Sequence, residues 1–246
     1  MAQRDGLSAI LIAKNASKTI AETLVSLDFC DAIIVLDSGS QDDTVAIARS
    51  FGAKVVETDW LGYGIQKQRA LSFVETTWAL SIDCDEVVSA DLRVEILKSL
   101  GFPEFSVYRM PRLNHLCRRA VRCAGWYPDY VERLFRVDEA KFSDSLVHES
   151  LNYSCSCGTL RAPLLHYTYE NLESAIDKLN RYSTLAAVVM GRRGRKVGRW
   201  TPPARFLYRF FSAYVLRGGW LGGLDGFTVS LLQAVEVYFK YLKVLN

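Results

Sequence analysis

No stretch of this sequence is long and apolar enough to read as a membrane span. The candidates are residues 206–216, interrupted by Arg209, and 226–239, interrupted by Gln233 and Glu236. Both fall short of the ~20 apolar residues that carry a helix across a bilayer. A secretory leader is not expected either: residues 7–13 are apolar but few, and the small-residue cleavage pattern is missing. The six cysteines, Cys30, Cys84, Cys117, Cys123, Cys155 and Cys157, lack the usual zinc-site spacings. Free thiols in a reducing cytoplasm are the expectation. There is no internal repeat. Acid is missing where base is plentiful: residues 178–224 hold ten Lys or Arg and no Asp or Glu, and 109–122 hold five Arg and no acid. The net charge is only +3, so this asymmetry, not the total, points to an anionic partner for the C-terminal part.

What is present describes a globular chain. Its 246 residues are 50% hydrophobic and 23% charged, enough for a full core in one large domain or a domain with a helical appendage. Short apolar runs at 8–12, 32–36, 54–57, 78–82 and 105–110 read as strands. Between them lie helical stretches: Ile20, Leu24 and Leu27 behind Ser17 as N-cap, a helix from Asp43 capped by Ser40 and ended at Gly52, then 65–74 and 90–100. Alternation of this kind predicts an α/β fold with a mainly parallel sheet covered on both faces. Residues 110–169 read as irregular. The last third reads as helical, with Leu172, Ile176 and Leu179 on one face, a helix opened by Pro202 and Pro203, a glycine-rich break at 218–226 and a final helix.

Ligands of parallel sheets bind beyond the carboxyl ends of the strands. That rule selects Lys14-Asn15, Asp37-Ser38-Gly39-Ser40 and Asp83-Cys84-Asp85, each directly after a strand. Two carboxylates one residue apart can hold Mg²⁺ or Mn²⁺ with positions left for phosphate oxygens, and such an ion offsets charge on a departing diphosphate. Two solvated acids beside a helix cap are the plain alternative. Asp37 can accept from a base imide or a ribose hydroxyl, or merely shape a βα turn. Lys67 and Arg69 can reach a diphosphate, or simply decorate a helix.

The series Ile10-Leu11-Ile12-Ala13-Lys14-Asn15, Asp37-Ser38-Gly39-Ser40-Gln41-Asp42, Lys67-Gln68-Arg69 and Asp83-Cys84-Asp85-Glu86 resembles the family 2 glycosyltransferases of the GT-A fold. Gly125-Trp126-Tyr127-Pro128-Asp129, Arg133-Leu134-Phe135-Arg136 and Val147-His148-Glu149 are similar to the branch that includes lipopolysaccharide inner-core β-1,4-glucosyltransferases. The segment Lys178-Leu179-Asn180-Arg181-Tyr182-Ser183 and the break near Gly219 continue the likeness over nearly the whole chain. Relatives often carry an Asp where Gly222 stands, so no role is transferred to the break.

The resemblance implies a Rossmann-like GT-A domain with a helical C-terminal region. Residues 1–110 would form its nucleotide-sugar-binding half, 111–169 its acceptor side, and 170–246 a basic, aromatic, membrane-associated region. It implies that Asp37, Arg69 and Asp83 meet the donor and that Asp85 holds Mg²⁺ or Mn²⁺; Ala13, Asn15 and Lys67 are further donor-binding candidates, and His148 or His166 is the candidate to complete the metal shell, although a lone histidine is more often structural. UDP-glucose would be the donor and a heptose of the lipid-linked inner core the acceptor. An inverting transfer needs a base; Asp129 is the first candidate and Glu149 the second, although Asp129 can instead pair with Arg133.

The cations Arg192, Arg193, Arg195, Lys196, Arg199, Arg205 and Arg209 alternate with Trp200, Phe206, Leu207, Phe210 and Phe211. Such a pattern suits an anionic membrane surface, which would place the protein in the cytoplasm, peripherally on the inner face of the cytoplasmic membrane; a solvated helix packing its aromatic face on the catalytic domain is the plain alternative. The competing classes are a sugar-nucleotide nucleotidyltransferase and an inactive glycan- or nucleotide-binding module. The first usually carries a glycine-rich basic loop after strand one, absent from Ala13-Lys14-Asn15-Ala16-Ser17. Nucleic acid is not expected as a partner, because no motif for it is seen.

Overall fold

The computed structural model describes residues 4–143, 150–192, 194 and 197–245. The chain divides into two units, Met1–Arg112 with Tyr130–His166, and Leu113–Asp129 with Tyr167–Asn246.

Elements follow in the order β1 (Arg4–Ala13), α1 (Ile20–Val25), β2 (Ala32–Asp37), α2 (Thr44–Ser50), β3 (Lys54–Glu57), α3 (Tyr63–Leu71), β4 (Thr76–Ser81), β5 (Glu86–Val88), α4 (Ala90–Gly101) and β6 (Val107–Leu116). Then come β7 (Arg119–Ala120), β8 (Asp129–Arg136), β9 (Ala140–Phe142), β10 (Leu151–Tyr153), β11 (Cys157–Thr159) and β12 (Leu164–Tyr169). The last are α5 (Leu172–Arg192), α6 (Thr201–Phe211) and α7 (Gly223–Leu245).

In the first unit, β3, β2, β1 and β4 lie side by side and parallel. The sheet continues through β8, β6, β12 and β5, where β4–β8 and β12–β5 are antiparallel. Side chains of a strand alternate between faces, and both faces here are buried. Leu7, Ala9, Leu11 and Ala13 of β1 enter one core, with α1, α2 and α4, whereas Ile10 enters the other, with α3. This explains why β1 and β2 read as continuous apolar runs rather than alternating ones. Leu80 of β4 is fully buried, and truncating such a residue to alanine typically costs about 2–5 kcal/mol.

Three local expectations are corrected. Ser17 and Ser40 do not cap helices. The residues preceding α1 and α2 are Thr19 and Asp43, neither with a side-chain cap bond, and Ser40 is drawn into the loop network described below. A side-chain cap does form at Ser89, whose hydroxyl accepts from Leu92 N–H at 3.2 Å and fixes the start of α4. The described residues of 110–169 are also far from irregular: β6 runs on to Leu116 and six further strands follow among them. Several of these are only two or three residues long, too short to show a period of two.

The second unit holds α5, α6 and α7, with a small core of Leu116, Val121, Ala124, Ala213 and Val229. Pro202 lies in the first turn of α6, as its ring geometry favours. Of the expected inward row on α5 only Leu179 is buried; Leu172 and Ile176 are exposed. The buried row is Ala175, Leu179, Ser183 and Ala187, a narrow strip of mostly small residues. Lys243 of α7 ties into the same helix through Asn180 Oδ1 at 2.7 Å and Ser183 Oγ at 2.8 Å. The glycine-rich break is a close backbone approach: an added Cβ at Gly226 would collide with the carbonyl oxygen of Gly219, and Gly218 sits in the left-handed region at φ 67°.

Candidate active site

Strand register brings three loops to one edge. Ala13, the last residue of β1, pairs with Asp37, the last of β2. Ile82, just past β4, donates its N–H to Ile10 O at 3.0 Å, so Asp83 emerges beside those strand ends.

The first two loops hold each other. Asn15 adopts φ 51°, donates its N–H to Ser40 Oγ at 2.8 Å and accepts from Gln41 N–H through Oδ1 at 2.8 Å. Asp37 is buried. Its carboxylate accepts from Gly39 N–H at 3.0 Å, from Ser40 N–H at 2.8 Å and from Ser40 Oγ at 2.5 Å. A carboxylate offers about four acceptor positions, so the loop leaves room for little more than one ligand bond. Gln66 of α3 is fully buried and donates to Ser38 Oγ and Asp59 O, both at 2.9 Å.

The third loop centres on charge. Lys67 Nζ, nearly inaccessible, meets Asp83 Oδ1 at 2.9 Å. Arg133 Nη2 meets Asp83 Oδ2 at 2.5 Å and Glu86 Oε1 at 2.6 Å. Glu86 is fully buried and also faces Arg112 Nη1 at 3.3 Å. It accepts Asp83 N–H at 3.0 Å while its own N–H returns to Asp83 O at 3.0 Å, which locks the turn. Burial opposes the charge on Asp83, yet Arg133 and Lys67 outweigh it and hold this carboxyl well below the ordinary carboxylate range. Burial likewise opposes the charge on Arg133, and Asp83 with Glu86 keep it firmly protonated. Arg133 Nε is buried without a hydrogen-bond partner among the described residues, an arrangement that costs about 1–3 kcal/mol in a closed core.

Asp85 is placed differently. The antiparallel pairing of β5 with β12 sets His166 opposite Glu86, and His166 Nε2 lies 3.3 Å from Asp85 Oδ2. Between the two acids, Cys84 turns inward, its Sγ 3.3 Å from Ile12 O. Burial, then Asp85 and Asp83, push its thiol up and keep it protonated.

The structure thus gathers Ala13, Asn15, Asp37, Lys67, Asp83 and Asp85 around the strand ends. It gives Lys67 to Asp83 rather than leaving it on the helix surface. Arg69 bonds Asp59 Oδ1 at 2.8 Å and Thr58 Oγ1 at 3.0 Å. Asp129 opens β8 and belongs to the second unit; the partners of Arg133 are Asp83 and Glu86. His148 and Glu149 lie outside the described residues. The roles of Glu86, Arg112, Arg133 and Gln66 were not anticipated. Glu86 and Arg133 stand inside the recognised motifs, but pairing across 47 residues leaves no local pattern. No group of three or more His, Cys, Asp or Glu able to hold a metal occurs among the described residues.

Known proteins agree with this architecture. Residues 8–115 match the model of glycosyl transferase family 2. An uncharacterised glycosyltransferase of Rickettsia conorii is 31% identical over 97% of this chain and 89% of its own length. The lipopolysaccharide core biosynthesis glycosyltransferase LpsC of Rhizobium meliloti is 32% identical over 97% of this chain and 91% of its own length. Among solved structures, S. aureus TarS 1-349 superposes with a TM-score of 0.50 at 17% identity, covering 98% of this chain and 88% of that one, a likeness of fold alone. The fold is GT-A: a mostly parallel sheet with flanking helices, followed by C-terminal helices. Full-length similarity to sugar-transferring relatives and the acidic strand-end site lead to one assignment: the chain belongs to glycosyltransferase family 2.

Proposed function

We propose that this glycosyltransferase moves a hexose, glucose, from UDP-glucose to a lipid-linked saccharide, a heptose of the lipopolysaccharide inner core, with inversion at the anomeric carbon. The observation that carries the reading is Asp85 facing His166 beside a clamped Asp83 at the strand ends. Its full-length relative LpsC is named for lipopolysaccharide core biosynthesis, which supports the acceptor class. An acceptor of that kind puts the protein in the cytoplasm, peripherally on the inner face of the cytoplasmic membrane. No described helix is long and apolar enough to cross a membrane.

The Asp85–His166 pair fits a divalent ion. Its facing atoms, Asp85 Oδ2 and His166 Nε2, are 3.3 Å apart, close enough for both to reach one ion. Asp85 would hold the ion through a carboxylate oxygen and His166 through an imidazole nitrogen. An imidazole is a softer donor than Mg²⁺ usually takes, so Mn²⁺ is the better match. When bound, the ion supplies Lewis-acid stabilisation of the departing diphosphate. Asp83 is not assigned as a ligand, because Lys67 and Arg133 occupy its two oxygens; it faces the ribose or the sugar. Ala13, Asn15 and Asp37 take the nucleoside, and Arg69 the donor's phosphate side once it leaves Asp59. Asp129 is assigned as the base that takes the acceptor hydroxyl's proton, ahead of Glu149. Of the two histidines, His166 is preferred to His148 as the metal ligand, on its distance to Asp85.

The test is a donor panel with Mn²⁺, Mg²⁺ or chelator, with and without a heptose-bearing core acceptor. Expected are UDP release from UDP-glucose that needs metal and rises with acceptor, and a product of inverted configuration by NMR. Release of pyrophosphate, or of nothing from any donor, contradicts the reading.

A further inference from the structure

α6 is apolar on two sides. Phe206 meets Tyr238 of α7 edge to face and Phe210 stacks on Tyr214, all four half-buried. Leu207, Tyr208, Phe211 and Val215, spaced by three or four residues and so on one helical face, are 65%, 64%, 52% and 45% exposed. The chain continues as a π-helical turn at Ser212–Leu216 and a 3₁₀ turn at Gly219–Gly222. There the exposure rises further, with Leu221 at 71% and Leu224 at 77%. The ring of Phe227, 41% exposed, lies 5.7 Å from those of Phe210 and Tyr214, so the start of α7 packs beside α6. So many exposed apolar side chains in one stretch of a soluble monomer mark an interaction surface.

Its charge selects the partner. Arg199, Arg205 and Arg217 are exposed on the same stretch of chain, and residues 178–224 contain no acid. Asp225, the first acid after them, is already paired with Arg119 at 2.6 Å. A second copy of the chain would face the same arginines with its own, since a two-fold interface repeats each patch. Trp200 and Trp220, 85% and 57% exposed, stand at the two ends of the α6 segment, where interfacial aromatics anchor a helix lying in the membrane plane.

We propose that α6, the turns after it and the first turns of α7 dock in the headgroup layer of an anionic bilayer, with Trp200 and Trp220 as anchors and the arginines on the lipid phosphates. The proposal specifies the surface that presents the enzyme to its lipid-linked acceptor and rests on that reading for its purpose.

The experiment is co-sedimentation of the full chain with vesicles of phosphatidylcholine alone or mixed with phosphatidylglycerol, without donor. The wild type is expected to bind the anionic vesicles about tenfold or more tightly, in a salt-sensitive way. Trp220→Ser/Leu221→Ser/Leu224→Ser loses about tenfold or more of that affinity, and Arg205→Gln/Arg217→Gln loses the preference for anionic lipid. Phe102→Ser, at an 85% exposed site of the first unit, binds as wild type. Indifference of the wild type to lipid charge overturns the proposal, as does full binding by the triple variant. A concentration-dependent dimer that the triple variant abolishes, with vesicle binding unchanged, also overturns it. Turnover on a soluble delipidated core acceptor separates the two ideas: vesicle binding without such turnover sinks the acceptor reading alone.

Discussion

Replacing Arg133 by methionine removes a guanidinium shared between two carboxylates while keeping an apolar stem of similar length. Arg133 is 8% exposed at its side chain, Glu86 is 0% and Asp83 is 30%. After the change Asp83 retains Lys67 at 2.9 Å, and Glu86 retains Arg112 at 3.3 Å and the Asp83 N–H at 3.0 Å. Removing one partner of a buried pair costs about 3–5 kcal/mol, most of it from the charge left behind. Lys67 spares Asp83 the worst, so the loss falls near the lower end, about 3 kcal/mol. In a protein of this size that lowers Tm by roughly 6–12 °C, read by calorimetry. Adding Glu86→Gln neutralises the stranded carboxylate, so the double variant recovers about 1 kcal/mol or more relative to the sum of the singles. A loss under about 1 kcal/mol in the single variant, or strict additivity in the double, would refute the clamp.

Asp129→Asn lowers kcat by about 100-fold or more while leaving the donor Kd unchanged by calorimetry; near-normal turnover removes the assignment of the base. The native pKa of Asp83 is depressed, so its contribution to stability is complete above the unfolded value of about 3.9 and is lost as pH falls below it. Between pH 6 and 2.5 the Tm of the wild type therefore falls more steeply than that of Asp83→Asn, and parallel profiles would contradict this. Burial and then Asp31 push the Cys30 thiol up to about 12, and Cys84 is raised as well, by burial and its flanking acids. Both should be alkylated by iodoacetamide at pH 8 on the order of a thousandfold more slowly in the folded than in the unfolded protein, as peptide mapping would read.

The strands that position the site were legible because burial on both faces makes β1, β2 and β4 contiguous apolar runs. Their carboxyl ends follow at once, and with them Asn15, Asp37, Asp83 and Asp85. Local chemistry misled where one residue type serves two ends. Ser40 reads as a helix cap, but its hydroxyl donates to Asp37 and accepts from Asn15 N–H, trading a cap for a bond between loops. Long-range register was not legible at all. Nothing near Glu86 reports that β5 will pair with β12, yet that pairing puts His166 at Asp85 and leaves Glu86 buried between Arg112 and Arg133. The basic, aromatic character of 199–211 was readable. That α6 would turn apolar residues both inward and outward was not, because the hydrophobic period cannot distinguish a helix covered on one side from one apolar on two.

Electron paramagnetic resonance of Mn²⁺ titrated into the protein with UDP present tests the site most directly. The account predicts one bound ion in the wild type, a binding constant weakened about 100-fold in Asp85→Asn and clearly in His166→Ala, and little change in His115→Ala, a buried histidine of the second unit. Unaltered Mn²⁺ binding in Asp85→Asn would contradict it.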